Sequence, residues 1–191
     1  MDVNKLLSAI RECAADGSRA TYMREHCSDL FTQKAIGRSP VAPTLRKQEV
    51  ARAERQLGFQ LPELLRRLYT EVGNGGFGPG YGIYGLDKVT GDEERSLIEG
   101  YEIDSNPPQD EYPGVAWPSG LVAVCHWGCG EYSYVNCHTK RGVMYRFDIE
   151  KYDPADPTTV FRRLSDPHFS REAGSIKQWL EMWLSGELEA D

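Results

Sequence analysis

Two groups of residues in this chain have the types and spacing to do chemistry. The first is Cys125, His126, Cys129, Cys137 and His138, which put thiol and imidazole groups within one short segment. Such groups can hold a structural zinc ion. They can also form a thiol hydrolase pair, with Cys125 or Cys129 as nucleophile and His126, His138 or His168 as base. The second group is Gly73-Asn74-Gly75-Gly76-Phe77-Gly78, which satisfies the G-x-G-x-x-G pattern of dinucleotide-binding loops.

The elements needed to position these groups argue against both chemistries. Zinc hairpins usually present C-x2-C or C-x4-C knuckles, whereas Cys125 and Cys129 enclose three residues with bulky Trp127 in the middle. Cys137 and His138 are adjacent, so on a strand they point to opposite faces. A catalytic thiol needs an electropositive, partly exposed setting and an oriented base, and no helix N-terminus falls at either cysteine. Cysteine is also a good small hydrophobe for a buried strand. The expectation is core cysteines, with no metal, no cofactor and no catalytic residue.

The glycine run fails on order. A phosphate-binding loop leaves a strand and opens a helix, whose free N–H groups hold the anion. Here a helix enters the loop: Leu61, Leu64, Leu65, Leu68, Tyr69 and Val72 recur at helical spacing, with Pro62 suited to the first turn. Gly73 reads as the C-cap of that helix. No G-K-[S/T] follows, so the P-loop pattern is absent too.

Upstream, Val50, Ala53 and Leu57 form another helical stripe that stops at Gly58. The unit is helix, tight turn, helix, glycine loop. Within it, Glu54, Leu57-Gly58, Leu61-Pro62 and Gly73-Asn74-Gly75-Gly76 resemble the opening motif of the SUKH superfamily. That family includes fungal regulators of cell-wall assembly associated with killer-toxin resistance, and bacterial immunity proteins that neutralise polymorphic toxins. The resemblance extends over roughly residues 44 to 186. It implies an α+β fold, a structural role for the motif residues, and protein binding in place of catalysis.

The rest of the chain fits that expectation. Val3, Leu6, Leu7, Ile10, Cys13 and Ala14 share one helical face that ends at Gly17, and a weaker helical pattern covers about 20–35. Pro40 and Pro43 break periodicity, so residues 1–43 read as an N-terminal helical extension and connector before a domain at 44–191. Downstream the period becomes strand-like: Leu121 to His126, Glu131 to Asn136 and Gly142 to Asp148, joined by short connections that favour an antiparallel meander of hairpins. After a proline-broken loop from Asp153 to Pro167, Ser175 and Gln178 look like a capping box. Ile176, Trp179, Leu180, Trp183 and Leu184 then line a last helix that Gly186 ends.

Composition narrows the function class. The chain has 191 residues, 40% hydrophobic, with five cysteines, an odd count that suits reduced thiols. No stretch approaches the roughly 20 apolar residues of a membrane span, and the start is too charged for a secretory signal, so a cytoplasmic address is expected. Arg66-Arg67 and Arg162-Arg163 are too short for a nucleic-acid track. The acid is concentrated, however. From Tyr81 to Val115 nine acidic residues face Lys88 and Arg95, a net −7 that equals the net charge of the whole chain. Glu93-Glu94 and Glu102 with Asp104 read there as solvated surface. The stretch is either a solubilising loop or an electrostatic face for a basic protein, with Asp92, Glu93, Glu94, Glu99, Glu102 and Asp104 as its contact residues. Under the resemblance, the partner is a basic toxin domain and the mechanism is occlusion. Two alternatives stay open: a scaffold or regulator of the same fold, and a zinc-binding or thiol-dependent enzyme.

Overall fold

A computed structural model describes residues 1–16, 41–87, 95–128 and 130–188. The expected Gly17 cap, the helical pattern at 20–35, and Asp92, Glu93, Glu94 and Cys129 lie outside these residues. The described residues form five α-helices and one four-stranded antiparallel sheet, an α+β arrangement. The helices are α1 (Val3–Asp16), α2 (Lys47–Leu57), α3 (Glu63–Glu71), α4 (Leu97–Asp104) and α5 (Ile176–Ser185). The strands are β1 (Leu121–Gly128), β2 (Glu131–Asn136), β3 (Val143–Phe147) and β4 (Phe169–Ala173), paired in sequence order as a meander.

The α2–α3 unit shows why its residue types recur at their spacing. Gly58 adopts φ 82°, the left-handed cap that ends α2, and donates to the Glu54 carbonyl. The Glu54 carboxylate reaches past the turn and accepts from the Leu61 N–H at 2.8 Å, with Arg66 3.7 Å away. That bond ties the end of α2 to the start of α3. Leu57 and Leu61 are buried beneath it. Pro62 sits one place earlier than expected, at the N-cap of α3.

Gly73 has a different role from the C-cap read from sequence. Val72 caps α3 in a right-handed conformation, and Gly73 has no positive φ. Its requirement is space: a Cβ there would lie 2.3 Å from Val41 Cγ1 and 2.6 Å from the Ala42 carbonyl oxygen. The extended 41–43 segment crosses at this point, and Ala42 exchanges backbone bonds with Asn74 and Gly75. Asn74 is buried, and its side-chain oxygen accepts from Leu86 N at 2.7 Å, which closes the glycine loop.

The loop delivers the chain to the sheet edge. Tyr81 N donates to the His126 carbonyl at 2.8 Å and Tyr84 N to Val124 at 2.9 Å, so residues 81–84 cover the outer edge of β1. Fully buried Val122, Val135 and Met144 form one cross-strand row of the sheet. The other face carries Tyr132, Tyr134, Phe147 and Phe169, packed with Trp117 and Phe161.

Strand β4 was not expected, since its segment was read as the approach to the last helix. It has only two inward apolar residues, Phe169 and Ala173, with exposed Ser170 and Arg171 between. A polar clamp fastens it instead. Glu172 accepts from Ser133 Oγ at 2.7 Å and from Arg146 Nη2 at 2.7 Å, Arg146 stacks 4.3 Å over Trp127, and Trp127 Nε1 donates to Ser133 at 2.8 Å. In α5, Ser175 Oγ accepts from Gln178 N, but the Gln178 side chain bonds Gly174 N, so the expected box is displaced by one residue.

Helix α1 is part of the main core. Leu6, Leu7 and Ile10 are fully buried in the same cluster as α3 and α5, and Arg67 donates to Asn4 at 2.9 Å. Leu7→Ala is therefore expected to cost about 3 kcal/mol, the middle of the range for deleting a buried leucine. Urea denaturation measures it. A loss under about 0.5 kcal/mol, the scale of a surface substitution, would contradict this packing.

Candidate functional site

The acidic stretch is built around α4. Ser96 caps the helix by accepting from Glu99 N, while the Glu99 carboxylate returns to Ser96 N at 2.9 Å. Leu97, Ile98 and Gly100 are buried against the rest of the domain, and Leu97 N donates to Gly85 O at 2.8 Å. Tyr101 packs edge-on to Phe59, with ring centroids 5.1 Å apart. Gly100 leaves room for the Arg95 guanidinium, whose Nε would lie 3.3 Å from a Cβ there.

Two of the six acidic residues expected at a partner surface have internal work. Asp104, read as solvated, has a side chain only 13% exposed, pairs with Arg95 at 3.1 Å and accepts from Tyr134 Oη at 3.2 Å. Burial pushes its carboxyl up from the ordinary range, against the opposing pull of Arg95 and the Tyr134 hydroxyl. Arg95 in turn lies 4.6 Å over the Tyr132 ring. Burial works against its charge, but Asp104 and the neighbouring tyrosines hold the guanidinium protonated, with its pKa raised. Glu99 is committed to the helix cap. The expectation of a solvated pair therefore holds for exposed Glu102 and fails for Asp104, because the last residue of α4 faces Arg95 and Tyr134.

What α4 presents to solvent is Glu102 and Ile103. Ile103 is 60% exposed, one of two large hydrophobic residues so exposed among the described residues. Its exposure was not foreseen, because within the short apolar–acidic run of α4 nothing in sequence says which isoleucine faces inward. The loop that follows is held by Gln109, which donates to Val115 O and accepts from Gly114 N, and it carries Asp110 and Glu111 exposed. Asp87, also exposed, pairs loosely with Arg52 at 3.5 Å.

Among the described residues, the cysteines and histidines do not converge on a metal site. Cys125 is fully buried opposite Ser133, and burial pushes its thiol well above the ordinary range. His126 points to the other face and stacks on Tyr132 at 4.5 Å. Cys137 and His138 lie in the turn after β2, so the opposite-faces argument for strand residues does not apply to them. Burial pushes the Cys137 thiol up to about 12, and His138 faces Ser119 Oγ at 3.2 Å. Among the described residues, no three His, Cys, Asp or Glu side chains are grouped to hold a metal ion. Raised thiol pKa values are the reverse of what a cysteine nucleophile needs.

His168 has a different consequence. It is 2% exposed against the rings of Phe147 and Phe161, and burial lowers its pKa against a smaller opposing pull from the Lys151 backbone. A histidine whose folded pKa is depressed stabilises the fold above its unfolded value of about 6.5, and that stability is lost as pH falls below it. Half-buried His126 shifts in the same direction. The denaturation midpoint is expected to fall between pH 7.5 and pH 5.5 in the wild type, and to fall less in His168→Phe. Equal pH dependence in the two proteins would contradict the assignment.

No curated protein matches this chain. A model of the SMI1 / KNR4 family (SUKH-1) matches residues 44–181, from the connector before α2 through the sheet and into α5, and the chain belongs to that family.

Proposed function

We propose that this protein is an immunity protein that binds a cognate toxin domain in the cytosol and occludes a basic surface on it. Family membership supports an immunity or interaction domain in general. The observation that carries the finer reading is the solvent-facing end of α4, where exposed Ile103 sits beside exposed Glu102, with exposed Asp110 and Glu111 in the loop that follows. An apolar anchor within a charged surround is the usual make-up of an interface centre and rim.

In this reading Glu102, Asp110 and Glu111 meet the partner directly, and Asp92, Glu93 and Glu94, just before α4 in sequence, add negative charge. Glu99 and Asp104 hold α4 in position and add to the field. Concentrated charge speeds encounter and sets orientation, while the buried apolar contact slows release. Among the described residues, no helix is long and apolar enough to cross a membrane. Co-expression tests the proposal. Any toxin domain found encoded beside this chain should arrest growth alone and be neutralised when this chain is present, with the two proteins co-purifying. Growth arrest that this chain leaves untouched would refute it.

A further inference from the structure

The starts of α1, α3 and α5 and the turn between β2 and β3 enclose a cleft that none of the residues above uses. Its volume is about 420 Å³, within the roughly 300–1,000 Å³ of small-molecule sites. Arg67, Lys140, Arg141 and Lys177 line it, against the single carboxylate of Glu63. In a chain of net charge −7, this is a concave surface with three more positive than negative side chains.

The four cations differ in their partners. Arg67 and Lys177 are held by carboxylates one turn along their own helices, Glu71 at 2.6 Å and Glu181 at 2.7 Å. Lys140 and Arg141 are exposed in the turn, and neither forms an ion pair with a described residue. The cleft wall adds weak positive character of its own. Pro62 at the N-cap leaves the first turn of α3 without a side-chain cap, so no capping side chain takes its leading N–H groups. Four cations around a half-open cleft of this size suit a compact anion, whereas a nucleic-acid backbone needs a longer track of contacts.

We propose that this cleft is a binding site for a diphosphate-bearing small molecule, with Lys140 and Arg141 supplying the contacts that are free in the unliganded chain. Two exposed cations side by side in the turn, Lys140 and Arg141, offer one charge to each of two linked phosphates, and charge-assisted bonds to phosphate are among the stronger polar contacts.

Calorimetric titration of the full chain with pyrophosphate, ADP and inorganic phosphate tests it, at about 150 mM salt to screen diffuse attraction. Pyrophosphate is expected to bind saturably and more tightly than inorganic phosphate. Lys140→Ala/Arg141→Ala is expected to weaken it at least about tenfold through the loss of two charge-assisted contacts. Both side chains are exposed, so the thermal midpoint of the unliganded double variant should match the wild type. Arg55→Ala, on α2 outside the cleft, should bind as the wild type does. ADP binding as tightly as pyrophosphate would identify a nucleotide, and pyrophosphate binding alone would identify a diphosphate without a nucleoside; either supports the site. No saturable binding, equal affinity for inorganic phosphate, unchanged affinity in the double variant, or an equal loss in Arg55→Ala would overturn it.

Discussion

Gly75→Ala is expected to prevent stable folding, while Gly58→Ala is tolerated. Both glycines have left-handed backbones, φ 89° and 82°, for which a side chain costs about 1–2 kcal/mol. Their surroundings differ. At Gly58 nothing lies within 4 Å of a built Cβ, so only the backbone penalty applies. At Gly75 the Cβ would lie 2.5 Å from Gly85 N, 2.7 Å from Ile83 O and 2.9 Å from Gly85 Cα. These are backbone atoms of the segment that runs along β1, so no rotamer change relieves the clash. Moving them would break the Gly76–Ile83 and Tyr84–Val124 bonds that carry the chain to the sheet. The combined loss should exceed about 3 kcal/mol, a large part of a typical total stability of 5–15 kcal/mol. Soluble yield, circular dichroism and urea midpoints of the two variants measure it. Equal stability would mean that the glycine run is not the rigid hinge between helices and sheet.

Trp179→Ala is expected to cost about 3–5 kcal/mol, the range for removing a buried large aromatic. Trp179 is fully buried in α5 and belongs to the core shared with α1 and α3. Trp183, one turn later on the same helix, is only partly buried, and its alanine variant should cost about 1 kcal/mol, near the mean for point substitutions. Among the described residues, the Trp179 indole N–H has no hydrogen-bond partner. Trp179→Phe should therefore lose less than its lost volume implies, because it also removes a buried unsatisfied donor. Urea unfolding with a constant m value tests all three. A Trp183→Ala loss as large as that of Trp179→Ala would contradict the packing of this helix.

Sequence reading succeeded where the signal is local. The stripes of α2 and α3, the cap at Gly58, the ends of β2 and the cap at Gly186 all follow from residues within a few positions of one another. So did the resemblance carried by Glu54, Leu57-Gly58, Leu61-Pro62 and Gly73 to Gly76, which fall within the matched 44–181. It failed where a distant segment decides. Gly73 has the composition of a cap, but the 41–42 segment crossing it is what excludes a side chain. Strand β4 has too little alternation to announce itself and depends on Glu172 reaching Ser133 and Arg146. Within the acidic stretch, Glu102 and Asp104 look equivalent in sequence, yet one faces water and the other is enclosed by Arg95 and Tyr134. The exposure of Ile103 depends on the same docking of α4, and with it the centre of the proposed interface.

The most direct measurement is the affinity of the chain for the toxin domain proposed as its partner at low and high salt, compared between wild type and Glu102→Lys/Asp110→Lys/Glu111→Lys. These side chains are exposed, so the variant should keep its thermal midpoint. Interaction through the acidic face predicts affinity at least about tenfold weaker at low salt and a flatter salt dependence, since opposed charge patterns chiefly govern encounter and orientation. Unchanged affinity and unchanged salt dependence would contradict it.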